Sequence, residues 1–211
     1  MSDIEKKEKE IAAELLKIKA VELSVNKPFI WASGLKSPIY CDNRKTLAYP
    51  ELREMIAKNF SEIIQSSESS PDVIAGVATG GIAHGLLVAE KLQLPFCYVR
   101  PEPKGHGLKN QIEGELKEGK KVFVIEDLVS TGKSSFNAVK ALLESGADVV
   151  GLASIFTYGF NDAGELFKKA GIPYYSLTNY DILLRVATTM NYLTETDAAY
   201  LKKWKDNPKE W

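Results

Sequence analysis

Apolar residues recur along this chain in two rhythms, and the change between them divides it. Ile4, Ile11, Leu15, Ile18 and Val21 lie three, four or seven positions apart, which predicts one amphipathic helix. Ser2 and Glu5 at its start fit a Ser-x-x-Glu capping box. Phe29-Ile30-Trp31 is β-prone, Ser33-Gly34-Leu35 reads as a turn and Ile39-Tyr40-Cys41 as a second short strand, so a hairpin is expected after the helix. Pro50 suits the first position of a helix running to about Ile64. From Asp72 onward short apolar runs alternate with helical patterns. Strands are predicted over 73–77, 96–99, 122–125, 148–156 and 174–177, and helices over 80–92, 133–144, 162–170, 180–188 and 195–204. Strands joined by crossover helices imply a parallel sheet. The expected fold is α/β, a central parallel sheet flanked by helices. Residues 1–48 would form a small N-terminal helix-plus-hairpin cap, and 49–211 the core.

Composition narrows the class. A length of 211 residues suits one domain with a small appendage, and 45% hydrophobic with 26% charged residues is ordinary for a globular protein. A net charge of −1 supplies no field to gather nucleic acid or an anionic membrane, so neither is an expected partner. No apolar run approaches the length of a bilayer span. The charged residues 1–10 resemble neither a signal nor a transit peptide. Cys41 and Cys97 are the only cysteines and lack metal-site spacing, so a reduced cytoplasmic setting is expected. One stretch, between Arg100 and Gly119, has no periodicity at all. It carries Lys104, His106 and Lys109 with Gly105 and Gly107 between them. Such a loop is read as a mobile basic flap, with a solvated hairpin as the alternative.

The candidate chemistry concentrates after the strand at 122–125. Glu126 and Asp127 follow it directly, and Ser130-Thr131-Gly132-Lys133-Ser134 then opens a helix. Ligands of open α/β sheets bind outside the carboxyl ends of strands. Small residues let backbone N–H groups converge on one point, and the helix N-terminus adds partial positive charge. Each hydrogen bond to a charged phosphate is worth about 1.5–3 kcal/mol. The adjacent carboxylates can accept from two ribose hydroxyls and sit beneath a carbon that becomes cationic. A sugar phosphate satisfies both features; adjacent acids at a strand end are otherwise simply solvated. A Walker A loop needs glycine five positions before Gly132, where Asp127 stands, and Gly76, Gly80, Gly81 and Gly85 do not fit a dinucleotide fingerprint. Gly76-Val77-Ala78-Thr79-Gly80-Gly81 is a second strand-to-helix loop, able to approach a diphosphate or to serve only as a tight turn. His84, within the following helix, is expected to be packed or exposed rather than catalytic.

The segment from Glu126 to Ser134 resembles the phosphoribosyl-diphosphate motif of type I phosphoribosyltransferases. Three further segments resemble the orotate phosphoribosyltransferases in particular. They are Ser33-Gly-Leu-Lys-Ser-Pro-Ile-Tyr-Cys-Asp-Asn-Arg44, Gly76-Val-Ala-Thr-Gly-Gly-Ile82, and Tyr98-Val-Arg-Pro-Glu-Pro-Lys-Gly-His-Gly107 with Asn110-Gln-Ile-Glu-Gly114. The resemblance implies transfer of a phosphoribosyl group from phosphoribosyl diphosphate to orotate, with Mg²⁺ carried by the substrate diphosphate rather than by protein ligands. It implies catalytic roles for Lys104, His106 and Asp127. Glu126 and Asp127 would hold the ribose hydroxyls, and Leu128, Val129, Ser130, Thr131, Gly132, Lys133 and Ser134 would wrap the 5′-phosphate. Arg100, Lys104, His106, Thr79 and Gly80 would meet the diphosphate, and Ser130, Tyr40 and Cys41 the orotate, Cys41 through its backbone. It also implies a homodimer whose flap closes over the partner's site.

The chain departs from the family pattern at several positions. Ala32 stands where many members have lysine, Thr79-Gly80 where many have Tyr-Lys, and Pro101 where a second flap lysine is common. An arginine expected to pair with the orotate carboxylate is absent from Phe156-Thr-Tyr-Gly159, which leaves Arg44 and Lys36 as candidates. Transfer to another base and a non-enzymatic regulator that senses phosphoribosyl diphosphate are the alternatives. The regulator would need a nucleic-acid surface, and no basic recognition unit stands out. A second, decarboxylating barrel would need more than 211 residues. Trp204 and Trp211 suit either an interface or plain surface.

Overall fold

The computed structural model describes residues 2–31, 34–102 and 111–208. In chain order the elements are α1 (Asp3–Lys17), β1 (Val21–Leu23), β2 (Phe29–Ile30), β3 (Lys36–Ser37), β4 (Ile39–Cys41), a 3-10 helix (Asn43–Ala48), α2 (Pro50–Ser66), β5 (Val73–Val77), α3 (Gly80–Leu92), β6 (Phe96–Val99) and β7 (Ile112–Glu113). Then come β8 (Lys121–Val129), α4 (Lys133–Glu144), β9 (Asp148–Thr157), α5 (Asn161–Lys169), β10 (Tyr174–Asn179), α6 (Tyr180–Thr189) and α7 (Glu195–Asp206).

Six strands form the central sheet in the order β10-β9-β8-β5-β6-β7. All neighbours run parallel except β6 and β7. Successive residues of β8 point to opposite faces, as the pleat requires. Phe123 and Ile125 join a cluster with Ile11, Phe60, Val88, Leu183 and Leu201. Val122 and Val124 join another with Val139, Leu142 and Phe167. The first face is covered by α1, α2, α3, α6 and α7, and the second by α4 and α5. Strands apolar on both faces are what a doubly covered parallel sheet demands.

The structure alters four expectations. Strand β8 runs on to Val129 rather than stopping at Ile125. Its pairing with β9 continues to Val129–Thr157, whereas its pairing with β5 ends at Ile125–Gly76. Glu126 and Asp127 are thus strand residues beyond the last pair that β8 makes with β5. The hairpin is also paired differently. β2 pairs with β3 through Phe29–Ser37 and Ile30–Lys36, while β4 pairs with β1 through Val21–Cys41 and Leu23–Ile39. The Ser2 hydroxyl accepts from the Glu5 N–H at 3.2 Å, but the Glu5 carboxylate is drawn to Lys9 and Arg185 instead of closing a capping box. Finally, the aperiodic stretch holds a short strand: β7 returns antiparallel to β6 through Val99–Ile112 and Tyr98–Glu113.

Candidate active site

Two loops meet where β5 ends, and the end of β6 lies beside them. The first runs from β5 to α3 and contains a cis peptide between Ala78 and Thr79. Its glycines are there for proximity. A Cβ on Gly76 would stand 2.8 Å from the Gly81 carbonyl oxygen, one on Gly80 would land on the Asp127 carboxylate, and one on Gly81 on the Ile125 carbonyl. Only glycine lets this loop lie against β8. Thr79 is exposed at the start of α3 and makes no side-chain cap.

The second loop joins β8 to α4. Gly132, at φ +79°, takes the left-handed conformation that starts α4 without a side-chain cap. The first N–H groups of a helix have no intrahelical acceptor. Thr131, Lys133 and Ser134 are exposed around them, Ser130 and Leu128 are half-buried, and Val129 is buried. The first turn of α4 carries no acidic residue to repel an anion.

The two carboxylates divide. Asp127 is half-buried. Glu126 is buried, with one oxygen accepting from the Asp127 N–H at 3.0 Å and the other from the Ser135 hydroxyl at 3.0 Å. Burial, reinforced by the Asp127 charge, pushes its pKa well above the usual carboxylate range. Asp127 is therefore the carboxylate presented to the crevice, and Glu126 supports it from below.

Arg100 directly follows β6. Half-buried Arg100 donates its N–H to the Gln111 carbonyl at 2.8 Å, and its guanidinium stands 3.7 Å from the Glu113 carboxylate. Lys104, His106 and Lys109 lie outside the described residues, as do Ala32, Ser33 and Trp211.

Tyr40 and Cys41 lie on β4. Tyr40 is exposed, its ring 5.8 Å from that of Phe29. The Cys41 thiol donates toward Asn43 Oδ1 at 3.4 Å. Burial, then the Asp127 and Asp42 charges, push its pKa up. It is held as a thiol, poorly suited to nucleophilic chemistry. Tyr158, whose pKa is raised first by burial and then by Cys41, Tyr40 and Asp127, joins them on this side, its ring 5.1 Å from that of Trp31. Arg44 is exposed and bound to Asp42 at 2.7 Å. Lys36 is also exposed.

Sequence reasoning did not single out Asn43, Ser135 or Tyr158. Asn43 is buried, and its Nδ2 donates to the Asp127 carbonyl at 2.7 Å. His84, expected to be either packed or exposed, is packed, and its Nε2 lies 3.1 Å from the Thr46 hydroxyl. Trp204 belongs to neither surface nor interface in this chain: it is fully buried among Trp31, Tyr158, Phe160 and Tyr180. Among the described residues no group of three or more His, Cys, Asp or Glu side chains stands together to hold a metal, and no helix is long and apolar enough to cross a membrane.

A family model described as a phosphoribosyl transferase domain matches residues 45–178, spanning both glycine loops and the carboxylate pair. Fold, loops and family model together define a phosphoribosyltransferase class. Relatives are more specific. The orotate phosphoribosyltransferase of Listeria monocytogenes serotype 4b is 53% identical over 204 residues, covering 97% of this chain and 98% of that protein. Its counterpart of known structure from Aeropyrum pernix is 28% identical with a TM-score of 0.75, covering 87% of this chain and 99% of that one. A UMP synthase of Leishmania donovani is 25% identical with a TM-score of 0.79, covering 96% of this chain but 42% of that one. The chain belongs to the orotate phosphoribosyltransferase family.

Proposed function

We propose that the chain transfers the 5-phosphoribosyl group of 5-phosphoribosyl 1-diphosphate to orotate, yielding orotidine 5′-phosphate and diphosphate. The observation that carries this reading is the position of the Asp127 carboxylate. It lies against Gly80 on one side, three residues before the turn that opens α4 on the other. A ribose bound at Asp127 by its hydroxyls reaches the uncapped α4 N-terminus with its 5′-phosphate and the Thr79-Gly80 loop with its diphosphate. Ser130, Thr131, Gly132, Lys133 and Ser134 surround the phosphate. Ser130, Tyr40 and the Cys41 backbone line the orotate side, with Tyr158 added to that group.

C1′ gains positive charge as diphosphate departs. Asp127 offsets that charge from the ribose side, and Arg100, Lys104 and His106 receive the negative charge of the leaving group. At an effective dielectric of 20, one unit charge about 4 Å away is worth about 4 kcal/mol, roughly a thousandfold in rate when felt only in the transition state. Mg²⁺ would be carried by the substrate's diphosphate, where it would neutralise charge on the leaving group. We also propose a homodimer in which Lys104 and His106 reach the partner's crevice. A cytoplasmic setting suits the two free thiols.

The deciding assay follows orotate by its ultraviolet absorbance, with phosphoribosyl diphosphate and Mg²⁺ each omitted in turn. Orotate is expected to be consumed only in the complete mixture. Consumption of adenine, hypoxanthine, guanine or uracil instead would keep the phosphate site and discard the base. Binding of phosphoribosyl diphosphate without turnover of any base would favour a sensing role.

A further inference from the structure

An amide buried beside a catalytic strand needs a reason, because an unpaired polar group there costs about 1–3 kcal/mol. Asn43 is 1% exposed. Its Nδ2 donates to the Asp127 carbonyl at 2.7 Å, and its Oδ1 accepts from the Cys41 thiol at 3.4 Å. Its backbone carbonyl accepts from the Thr46 hydroxyl at 2.5 Å. Thr46 has a single hydroxyl proton, already committed there, so His84 Nε2 is the donor in its 3.1 Å contact with Thr46. His84 is then the neutral Nε2–H tautomer. That agrees with a pKa lowered to about 4 by burial and by Arg53, and with a buried Nδ1 that has no partner among the described residues.

The proton order makes one continuous strut. It starts on α3, the helix opened by the Gly80 loop, passes through Thr46 and Asn43 of the 3-10 helix, and ends on the backbone of Asp127 in β8. Both backbone polar groups of Asp127 are engaged by side chains, its N–H by Glu126 and its carbonyl by Asn43. We infer that Asn43 is a positioning residue for phosphoribosyl transfer: its amide sets the backbone of Asp127, and so the direction of the carboxylate that receives the ribose hydroxyls. The inference rests on the reading of the site given above. The Asp127 carboxylate already fills the space where a Gly80 Cβ would be, so a small rotation of its backbone drives it into the loop or out of the ribose position. Misplacement of a reacting group by about 1 Å costs on the order of a hundredfold in rate.

Asn43→Asp separates the donor from the shape. It keeps the volume but turns a lone pair toward the Asp127 carbonyl. Asn43→Ser, with a smaller donor, is the second variant should the first fold poorly. For both, kcat and KM are measured with each substrate, binding of phosphoribosyl diphosphate and of magnesium diphosphate by calorimetry, and the melting temperature alongside. Asn43→Asp is expected to lower kcat and to weaken phosphoribosyl diphosphate at least tenfold, with Asn43→Ser between it and the natural protein. Magnesium diphosphate, which does not use Asp127, should bind within about twofold of the natural protein. Equal weakening of the two ligands, or a lowered melting temperature with unchanged kcat and binding, would reduce Asn43 to a structural residue and overturn the inference. If the natural protein itself fails to consume orotate, the proposed reaction falls. The ratio of the two ligand affinities still decides what Asn43 does.

Discussion

At Gly80 an added methyl group would occupy the volume of the Asp127 carboxylate. Overpacking of this kind costs about 1–3 kcal/mol, and here the displaced group is the one assigned to the ribose. Gly80→Ala is expected to lower kcat/KM for phosphoribosyl diphosphate by roughly ten- to a hundredfold. Gly164 in α5 is the control: a Cβ there meets nothing within 4 Å. Gly164→Ala should leave kinetics unchanged and stabilise by about 0.5–1 kcal/mol in a denaturant titration. His84 makes a prediction about pH. Its folded pKa, about 4, lies below its ordinary value of 6.5, so the unfolded chain binds the proton more tightly. The stability its neutral form contributes is complete above pH 6.5 and is lost as pH falls toward 4, by about 3 kcal/mol at most. Glu126, with its pKa raised, works in the opposite direction in acid. The test is therefore the difference between the natural protein and His84→Gln across pH 4–7, where the variant should give the flatter profile. Identical slopes would mean that His84 titrates in the fold as it does in the unfolded chain. The candidate residues visible in the sequence are those that stand together along it, Glu126-Asp127 and the Ser-Thr-Gly turn. Asn43 meets Asp127 across 84 positions, and nothing in its own neighbourhood announces that contact.

The elements show the same division between local and distant causes. Strand periodicity ended at Ile125 because two carboxylates break an apolar run, yet β9 carries the ladder on to Val129. Hydrogen bonding to a neighbour, not side-chain polarity, decides where a strand stops. The pairing of β2 and β4 departs from the expected hairpin for a related reason. Alternation marks a short strand but does not name its partner, and each strand pair here spans only two or three residues. Helix α7 was predicted from its spacing, but not what it is for. Its Trp204 packs edge-on against Trp31, Tyr158, Phe160 and Tyr180, and its indole N–H donates to the Lys36 carbonyl at 3.3 Å. One side chain thus pins the C-terminal helix to the β2–β3 hairpin beside the proposed orotate side. Trp204→Ala is expected to cost about 3–5 kcal/mol in a denaturant titration. It should also raise the KM for orotate more than that for phosphoribosyl diphosphate. A loss of stability with both KM values unchanged would detach α7 from the site.

At the scale of the whole molecule, β5, β8 and the 3-10 helix of a single chain come together at the candidate site. The proposed flap belongs to the stretch between Arg100 and Gly119, and β6 and β7, which flank its basic residues in the chain, form the far edge of the sheet. If the flap serves the partner's crevice, each site in a homodimer combines β8 of one subunit with Lys104 of the other. The consequence is arithmetic. Lys104→Ala and Asp127→Asn should each be nearly inactive alone, the first through lost turnover rather than lost orotate affinity. In a mixed dimer one site collects both defects and the other collects neither. Random exchange at equal concentrations makes half of the dimers mixed, with one intact site in two, so about a quarter of the natural activity should return. A flap that closes over its own subunit gives no such recovery, because every site then carries one defect or the other. Activity measured before and after mixing, with native mass spectrometry to establish exchange, distinguishes the two arrangements. Exchange without recovery would return Lys104 to its own chain's crevice and leave Asp127 served in cis.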